Sequence, residues 1–150
     1  MLIAEQQLVV RRENRRMKNE ERIMAENKIT SFTQLNAWRR AHDLALYVYK
    51  LTKDFPKEEL FCLTSQVRRA AISVTSNIAE GFSRLSNKEK IQFYSMSLGS
   101  LTEAHNQLIF AKDLKYITAE ELKIVTNSVI TTHKLINGLI KSTRSRIHTS

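Results

Sequence analysis

Three glycines and one proline in 150 residues leave almost no material for tight turns. Sheets built on hairpins, and Gly-rich loops that cradle phosphate, both need more such residues than this. The shortage predicts long helices joined by short connections, and argues against Rossmann or P-loop nucleotide chemistry. The length suits one domain rather than two. With 42% hydrophobic and 26% charged residues, the chain has the balance of an ordinary globular protein. The lone Cys62 can form neither an internal disulfide nor a thiolate metal cage, which fits a reducing cytoplasm. No apolar run approaches the roughly 20 residues that cross a bilayer, so no membrane partner is expected. Glu5 stands where a signal peptide would be apolar.

Lys and Arg total 24 against 15 Asp and Glu, a formal charge of +9. Such a surplus attracts polyanions, nucleic acid above all, without implying specificity. The charge is not spread evenly. Between Arg11 and Lys28 eleven of eighteen residues are charged, and Met17, Ile23 and Met24 form no apolar stripe. Residues 1–30 therefore read as a charged extension, a solvated helix or a disordered arm, ahead of a domain over 31–150. Met17 and Met24 could also serve as translation starts. The run Arg11-Arg12-Glu13-Asn14-Arg15-Arg16 resembles an arginine-rich RNA-binding segment. Five acids against seven bases in residues 1–28 weaken that reading, and a plain charged tail is favoured. Residues 29–150 still hold 17 bases against 10 acids.

Four helical patterns follow. The first, about 33–54, carries Leu35, Trp38, Ala41, Leu44, Ala45, Val48 and Leu51 on one side. Phe55-Pro56 stops it, because proline pushes the preceding residue out of helical geometry. The second, about 58–80, spaces Leu60, Leu63, Val67, Ala71, Val74 and Ile78 by threes and fours, with Gly81 expected as a left-handed cap. The third opens on the capping box Ser86 to Glu89 and extends to about Lys115, with Ile91, Tyr94, Leu98, Leu101 and Leu108 in its stripe. The fourth opens on Thr118 to Glu121, a second capping box, and carries Leu122, Val125, Val129, Ile136 and Leu139. Connections of a few residues imply antiparallel neighbours, hence an all-α, up-down-up-down four-helix bundle. Phe61, Ile72 and Ala79 form a second apolar row on the second helix, and Ile124 and Leu135 widen the fourth. Helices apolar on two sides point to a homo-oligomer.

Tests for catalysis and metal binding fail. No Glu-x-x-His pair suggests a di-metal bundle, and His42, His105, His133 and His148 are scattered without HExxH or partner cysteines. Cys62, between Phe61 and Leu63, reads as a buried small hydrophobe. No Gly-x-Ser-x-Gly elbow occurs. A non-enzymatic protein without cofactor or metal is expected.

The densest polar stretch lies on the second helix. Arg69, Ser73, Asn77 and Glu80 share a face, as a phosphate-binding row or as a structural network. Glu80 would repel phosphate, so Arg69, Asn77 and Glu80 read as structural, satisfied by neighbouring helices or chains. Arg68, one step round the helix, is the better solvent-facing candidate. Other candidate nucleic-acid contacts are Arg39 and Arg40 on the first helix, and Arg84 and Lys88 at the second corner. Lys141, Arg144 and Arg146, which lack local acids, make the strongest footprint. Lys112 and Lys115 suit the dipole at their helix end. Scattered cations without base-reading aromatics imply backbone-dominated, sequence-tolerant binding. Tyr47, Tyr49 and Tyr94 suit core or interface positions better than base stacking.

Several of these segments resemble one family. Ala37-Trp38, Leu51-Thr52, Phe55-Pro56-Lys57-Glu58-Glu59-Leu60-Phe61 and Gln66-Val67-Arg68-Arg69-Ala70-Ala71-Ile72-Ser73 are similar to the 23S ribosomal RNA intervening-sequence proteins, also called four-helix bundle proteins. Ser76-Asn77-Ile78-Ala79-Glu80-Gly81-Phe82-Ser83-Arg84 and Gly99-Ser100-Leu101-Thr102-Glu103 continue the resemblance, which covers about 32–143. It implies a bacterial, four-helix, ring-like homopentamer with no established catalytic activity, some members being encoded inside inserts in the 23S ribosomal RNA gene. A related branch, the accessory variability determinant of diversity-generating retroelements, implies association with a reverse transcriptase and nucleic acid. The expected partners are therefore further copies of the chain and nucleic acid, RNA first. The alternative is a protein-interaction scaffold or an accessory subunit of a reverse transcriptase.

Overall fold

The computed structural model describes residues 11–12, 15–19 and 28–147. The chain divides into two compact units, 1–30 and 31–150. In the first, residues 11–12 and 15–19 are helical and exposed; the rest of the reading made for that extension falls outside the described residues, as does His148. The second unit is all-helical, with no strand among the described residues. Its four long helices are α1 (Asn36–Thr52), α2 (Leu63–Ser83), α3 (Asn87–Asp113) and α4 (Ala119–Ser145). Each packs on two others, α1 on α2, α2 on α3, α3 on α4 and α4 on α1. Leu44, Val48, Val67, Val74, Ile78, Leu101, Leu108, Val125 and Ile136 form the buried centre they share.

The chain enters α1 through a 3-10 turn, Phe32–Gln34. Ser31 accepts from the Thr33 N–H, and Gln34 reaches back to the Ser31 N–H, so the capping box belongs to this turn and not to α1. Phe32 meets Trp38 edge-on, with centroids 5.4 Å apart, and ties the turn to the first turn of α1.

The expected start of the second helix near residue 58 is corrected by the structure. After Pro56 the backbone makes 3-10 bonds, Glu59 N–H to Pro56 and Leu60 N–H to Lys57, and α2 begins only at Leu63. Glu59 is the pivot. Its Oε2 accepts the Leu63 N–H at 3.2 Å, filling one orphan donor of α2, and its Oε1 accepts from the Tyr116 hydroxyl at 3.1 Å. Because residues 60–62 lie before the helix, Leu60, Phe61 and Cys62 face outward, and Cys62 is an exposed thiol rather than a buried hydrophobe.

Gly81 is also corrected. It is no left-handed cap but a buried position inside α2, with no glycine at positive φ anywhere among the described residues. Its role is close approach. A Cβ there would stand 2.7 Å and 2.9 Å from the ring of buried Tyr94 and 3.1 Å from Cβ of Phe93 on α3. Further along the seam, Ser97 donates to the Val74 carbonyl at 2.9 Å, Ser73 and Ser100 share a hydrogen bond at 2.9 Å, and Gln107 donates to Gln66 at 3.5 Å. Partners descend along α3 as they climb α2.

The α3 helix ends at Asp113, slightly before the expected position. Ser86 accepts the Glu89 N–H at its start, which is half of the expected capping box. Its end is closed by Lys115 at φ 64, with the Lys115 N–H on Lys112 and the Tyr116 N–H on Ala111. That Schellman pattern normally recruits glycine. Thr118 and Glu121 form the full capping box at the start of α4.

Gly81→Ala tests the seam. Tyr94 is enclosed and cannot swing clear, so the added methyl group is expected to cost about 1–3 kcal/mol of unfolding free energy, read from urea denaturation.

Candidate functional site

Among the described residues, no helix is long and apolar enough to cross a membrane, and no cluster of His, Cys, Asp or Glu could hold a metal ion. The histidines are occupied singly. His42 stacks on Trp38 with centroids 4.7 Å apart, His105 shares a hydrogen bond with Thr126 at 3.1 Å, and His133 with Asn137 at 3.0 Å. Leu101, Thr102, His105, Val129, Ile130, His133 and Lys134 line a groove of about 290 Å³ between α3 and α4.

The polar residues of α2 separate into groups. Asn77 donates to the Ser73 carbonyl at 2.9 Å and its hydroxyl at 3.1 Å, within the Ser73–Ser100 seam. Glu80 pairs with Arg84, one turn on. Arg69 and Glu80 do not meet, since eleven residues of helix put them about 16 Å apart. Arg69 is exposed, with no partner within the chain among the described residues. Arg68 corrects the solvent-facing expectation. It is half-buried, its Nε donating to Thr52 Oγ1 at 2.8 Å and its guanidinium lying 4.7 Å from the Tyr49 ring centroid. Periodicity alone could not foretell this, because a helix position at the edge of the apolar stripe reads the same whether its tip reaches water or a neighbouring helix.

The other cations fall into two kinds. Arg84 is partly committed: besides Glu80, its guanidinium stacks 4.5 Å from the Phe93 centroid. Arg39 donates from Nε to the Thr33 carbonyl at 2.8 Å, though its residue remains exposed. Arg40, Lys88, Lys141 and Arg144 are exposed, with no side-chain partner among the described residues. Arg146, also exposed, stands close enough for its charge to act on Lys90 and Tyr94.

Lys90 organises the corner between α2 and α3. Its Nζ donates to the Phe82 carbonyl at 2.6 Å and to the Gly81 carbonyl at 3.4 Å, satisfying the orphan acceptors that end α2. The signal was available in principle, a lysine just past a helix terminus, but many lysines sit there idly. Burial first, and the Arg146 charge second, hold its ammonium below the usual lysine range. Lys90 thus joins the start of α3 to the end of α2, and the charge of Arg146, just past α4, reaches it. Arg39 and Arg40 lie on the first turns of α1, outside these contacts.

The unit is thus an all-helical bundle with no metal-binding cluster among its described residues and with several cations near the end of α2. The family model for the 23S rRNA-intervening sequence protein matches residues 33–138. The chain belongs to the 23S rRNA-intervening sequence protein family. No curated protein matches it. Among solved structures it is similar to a crystal structure of a protein of unknown function from the S23 ribosomal protein family of Bacteroides thetaiotaomicron, with a TM-score of 0.65 and 23% identity over 70% of this chain and 98% of that one. At that identity the likeness is one of fold.

Lys90→Met removes the donor that closes α2 and is expected to cost about 1 kcal/mol at neutral pH. The variant should also lose part of a pH response. A lysine whose folded pKa lies below its unfolded 10.5 binds fewer protons in the native state, so it makes stability rise as pH climbs toward that value. Urea titrations at neutral and mildly alkaline pH, wild type against variant, read both effects.

Proposed function

We propose that the protein is a non-enzymatic, cytoplasmic, basic bundle of up-down-up-down topology that binds RNA through the phosphate backbone and works as a ring-like homo-oligomer. The observation that carries the RNA reading is the set of cations near the corner where Lys90 joins α2 to α3: Arg84 and Lys88 close by in the chain, Arg146 near enough for its charge to act on Lys90, and Lys141 and Arg144 within about a turn and a half of Arg146 on α4. In the up-down-up-down arrangement the first turn of α1, carrying Arg39 and Arg40, joins the same end. The remote end pairs its charges more evenly, Lys53, Lys57, Lys112 and Lys115 standing among Asp54, Glu58, Glu59 and Asp113. The field is thus polarised along the bundle, which favours a polyanion at one pole. Membership of a family named for an insert in 23S ribosomal RNA supports RNA over DNA.

Self-association draws on a different observation. Phe61 is 88% and Leu85 100% exposed, and Ile72, Met96, Phe110 and Ile124 also face outward. Side chains of this size left in water mark a protein contact. Arg69, without a partner among the described residues, is available to a neighbouring copy. The same apolar residues support the second reading, a scaffold or accessory subunit that docks another protein such as a reverse transcriptase.

Binding of labelled single-stranded RNA across a salt series, with mass from light scattering in the same buffers, tests the proposal. The expected result is a multimer whose affinity falls steeply with salt, and a Lys141→Ala slope shallower by about 0.7 in log–log terms for one lost phosphate contact. A multimer indifferent to RNA at low salt overturns it in favour of a protein partner.

A further inference from the structure

Gly138 lies seven residues before the end of α4, in a helix interior where glycine costs about 1 kcal/mol relative to alanine. Nothing among the described residues uses its missing side chain. A Cβ built there meets no atom within 4 Å, unlike Gly81, where the Tyr94 ring fills the space. The residues that share its face are Lys134, one turn before, and Lys141, one turn after, both exposed. Arg144 follows one turn beyond Lys141, and the small polar Asn137 and Ser142 flank the row, all exposed.

Two further features set this half-helix apart. Glu121 is the last acidic side chain of the sequence, so nothing from Leu122 onward offsets the cations. Exposed large apolar residues on α4 are Ile124 and Ile130, both before the row begins. The first half of α4 therefore offers an apolar surface suited to protein, and the second half a basic, unhindered one suited to a polyanion. Gly99 supplies the contrast. It too is open, but its helix neighbours are the exposed Met96 and the acidic Glu103, a face that suits protein and repels phosphate.

We propose that the outer face of the second half of α4 is the surface on which the RNA backbone lies, with Lys134 and Lys141 on successive phosphates' oxygens and Gly138 allowing the strand to sit against the helix. This rests on the RNA reading above and names its contact surface. The two ammonium groups spring from positions about 10 Å apart along the axis, room for a strand to pass over the bare backbone between them. The lysines supply charge; the glycine supplies distance, since Coulomb attraction grows as the phosphate nears and water is excluded.

The test compares wild type with Gly138→Leu, Lys134→Ala/Lys141→Ala and the control Gly99→Leu, using a labelled single-stranded RNA at several salt concentrations. Thermal melting and light-scattering mass are recorded for each. Gly138→Leu is expected to melt at or above the wild-type temperature, keep the wild-type mass and bind RNA at least tenfold more weakly. The double lysine variant is expected to lose about 1.4 from the salt slope, two phosphates' worth. Wild-type affinity in Gly138→Leu overturns the close approach, and loss of mass together with affinity reassigns Gly138 to a contact between copies. Wild-type protein that binds RNA while all α4 variants match it sinks this surface alone; wild-type protein that binds no RNA sinks the RNA reading with it.

Discussion

The close approach of α2 and α3 is the contact on which the rest of the bundle depends. Without a Cβ at position 81 the Tyr94 ring lies on the α2 backbone, and Ser97 can reach across to the Val74 carbonyl. A serine hydroxyl buried between two helices is tolerable only with such an acceptor. The seam sets the height of α3 against α2, and that height delivers Lys90 to the last carbonyls of α2. Packing in the middle of the pair thereby fixes the position of the charged corner at its end. The electrostatic feature is a consequence of a steric one.

Where sequence and structure agree, the reason is periodicity and capping. Leu44, Val48, Val67, Val74, Ile78, Leu101, Val125 and Ile136 stand at helical spacing and are buried, and Thr118 with Glu121 closes the start of α4 as the pattern requires. The departures cluster where the period is silent. Leu60 fits the apolar stripe of α2 on paper, but proline geometry turns residues 57–59 into a 3-10 turn and leaves Leu60 outside the helix. Gly81 carries the usual signature of a helix end, and only the partner helix reveals that it is needed for contact. Arg68 looks like a surface cation until Thr52 and Tyr49 are in place. For the candidate site, the individual cations could be picked from the chain, whereas their separation into committed and uncommitted groups could not. That division depends on which carbonyls, rings and carboxylates from other helices come within reach.

The division also bears on how charge is used. Arg68, Arg84 and Lys90 spend their donors inside the fold, on a hydroxyl, a carboxylate and two carbonyls. Their guanidinium or ammonium groups still contribute to the field at distance, but they are poorly placed to follow a ligand. Lys88, Lys134, Lys141 and Arg144 are exposed with no side-chain partner among the described residues, and a polyanion that met them would release its counterions. A formal charge of +9 therefore does not say which of the 24 cations are committed within the fold and which are not.

The Schellman turn after α3 has a consequence in time rather than in space. It returns the chain into α4 within a few residues, as the Arg84–Ser86 corner does between α2 and α3, and the longer Pro56 connection links α1 to α2, so the α1–α2, α2–α3 and α3–α4 pairings join neighbours in sequence. Such local contacts close small loops and are characteristic of fast folding. The remaining contact, α4 back on α1, joins the first helix to the last and must wait for the others to draw its ends together. Substitutions on that α1–α4 seam are accordingly expected to change the rate of unfolding more than the rate of folding, which stopped-flow chevrons would read directly. The short connections that leave so few glycines in the sequence also set the order in which the bundle comes together.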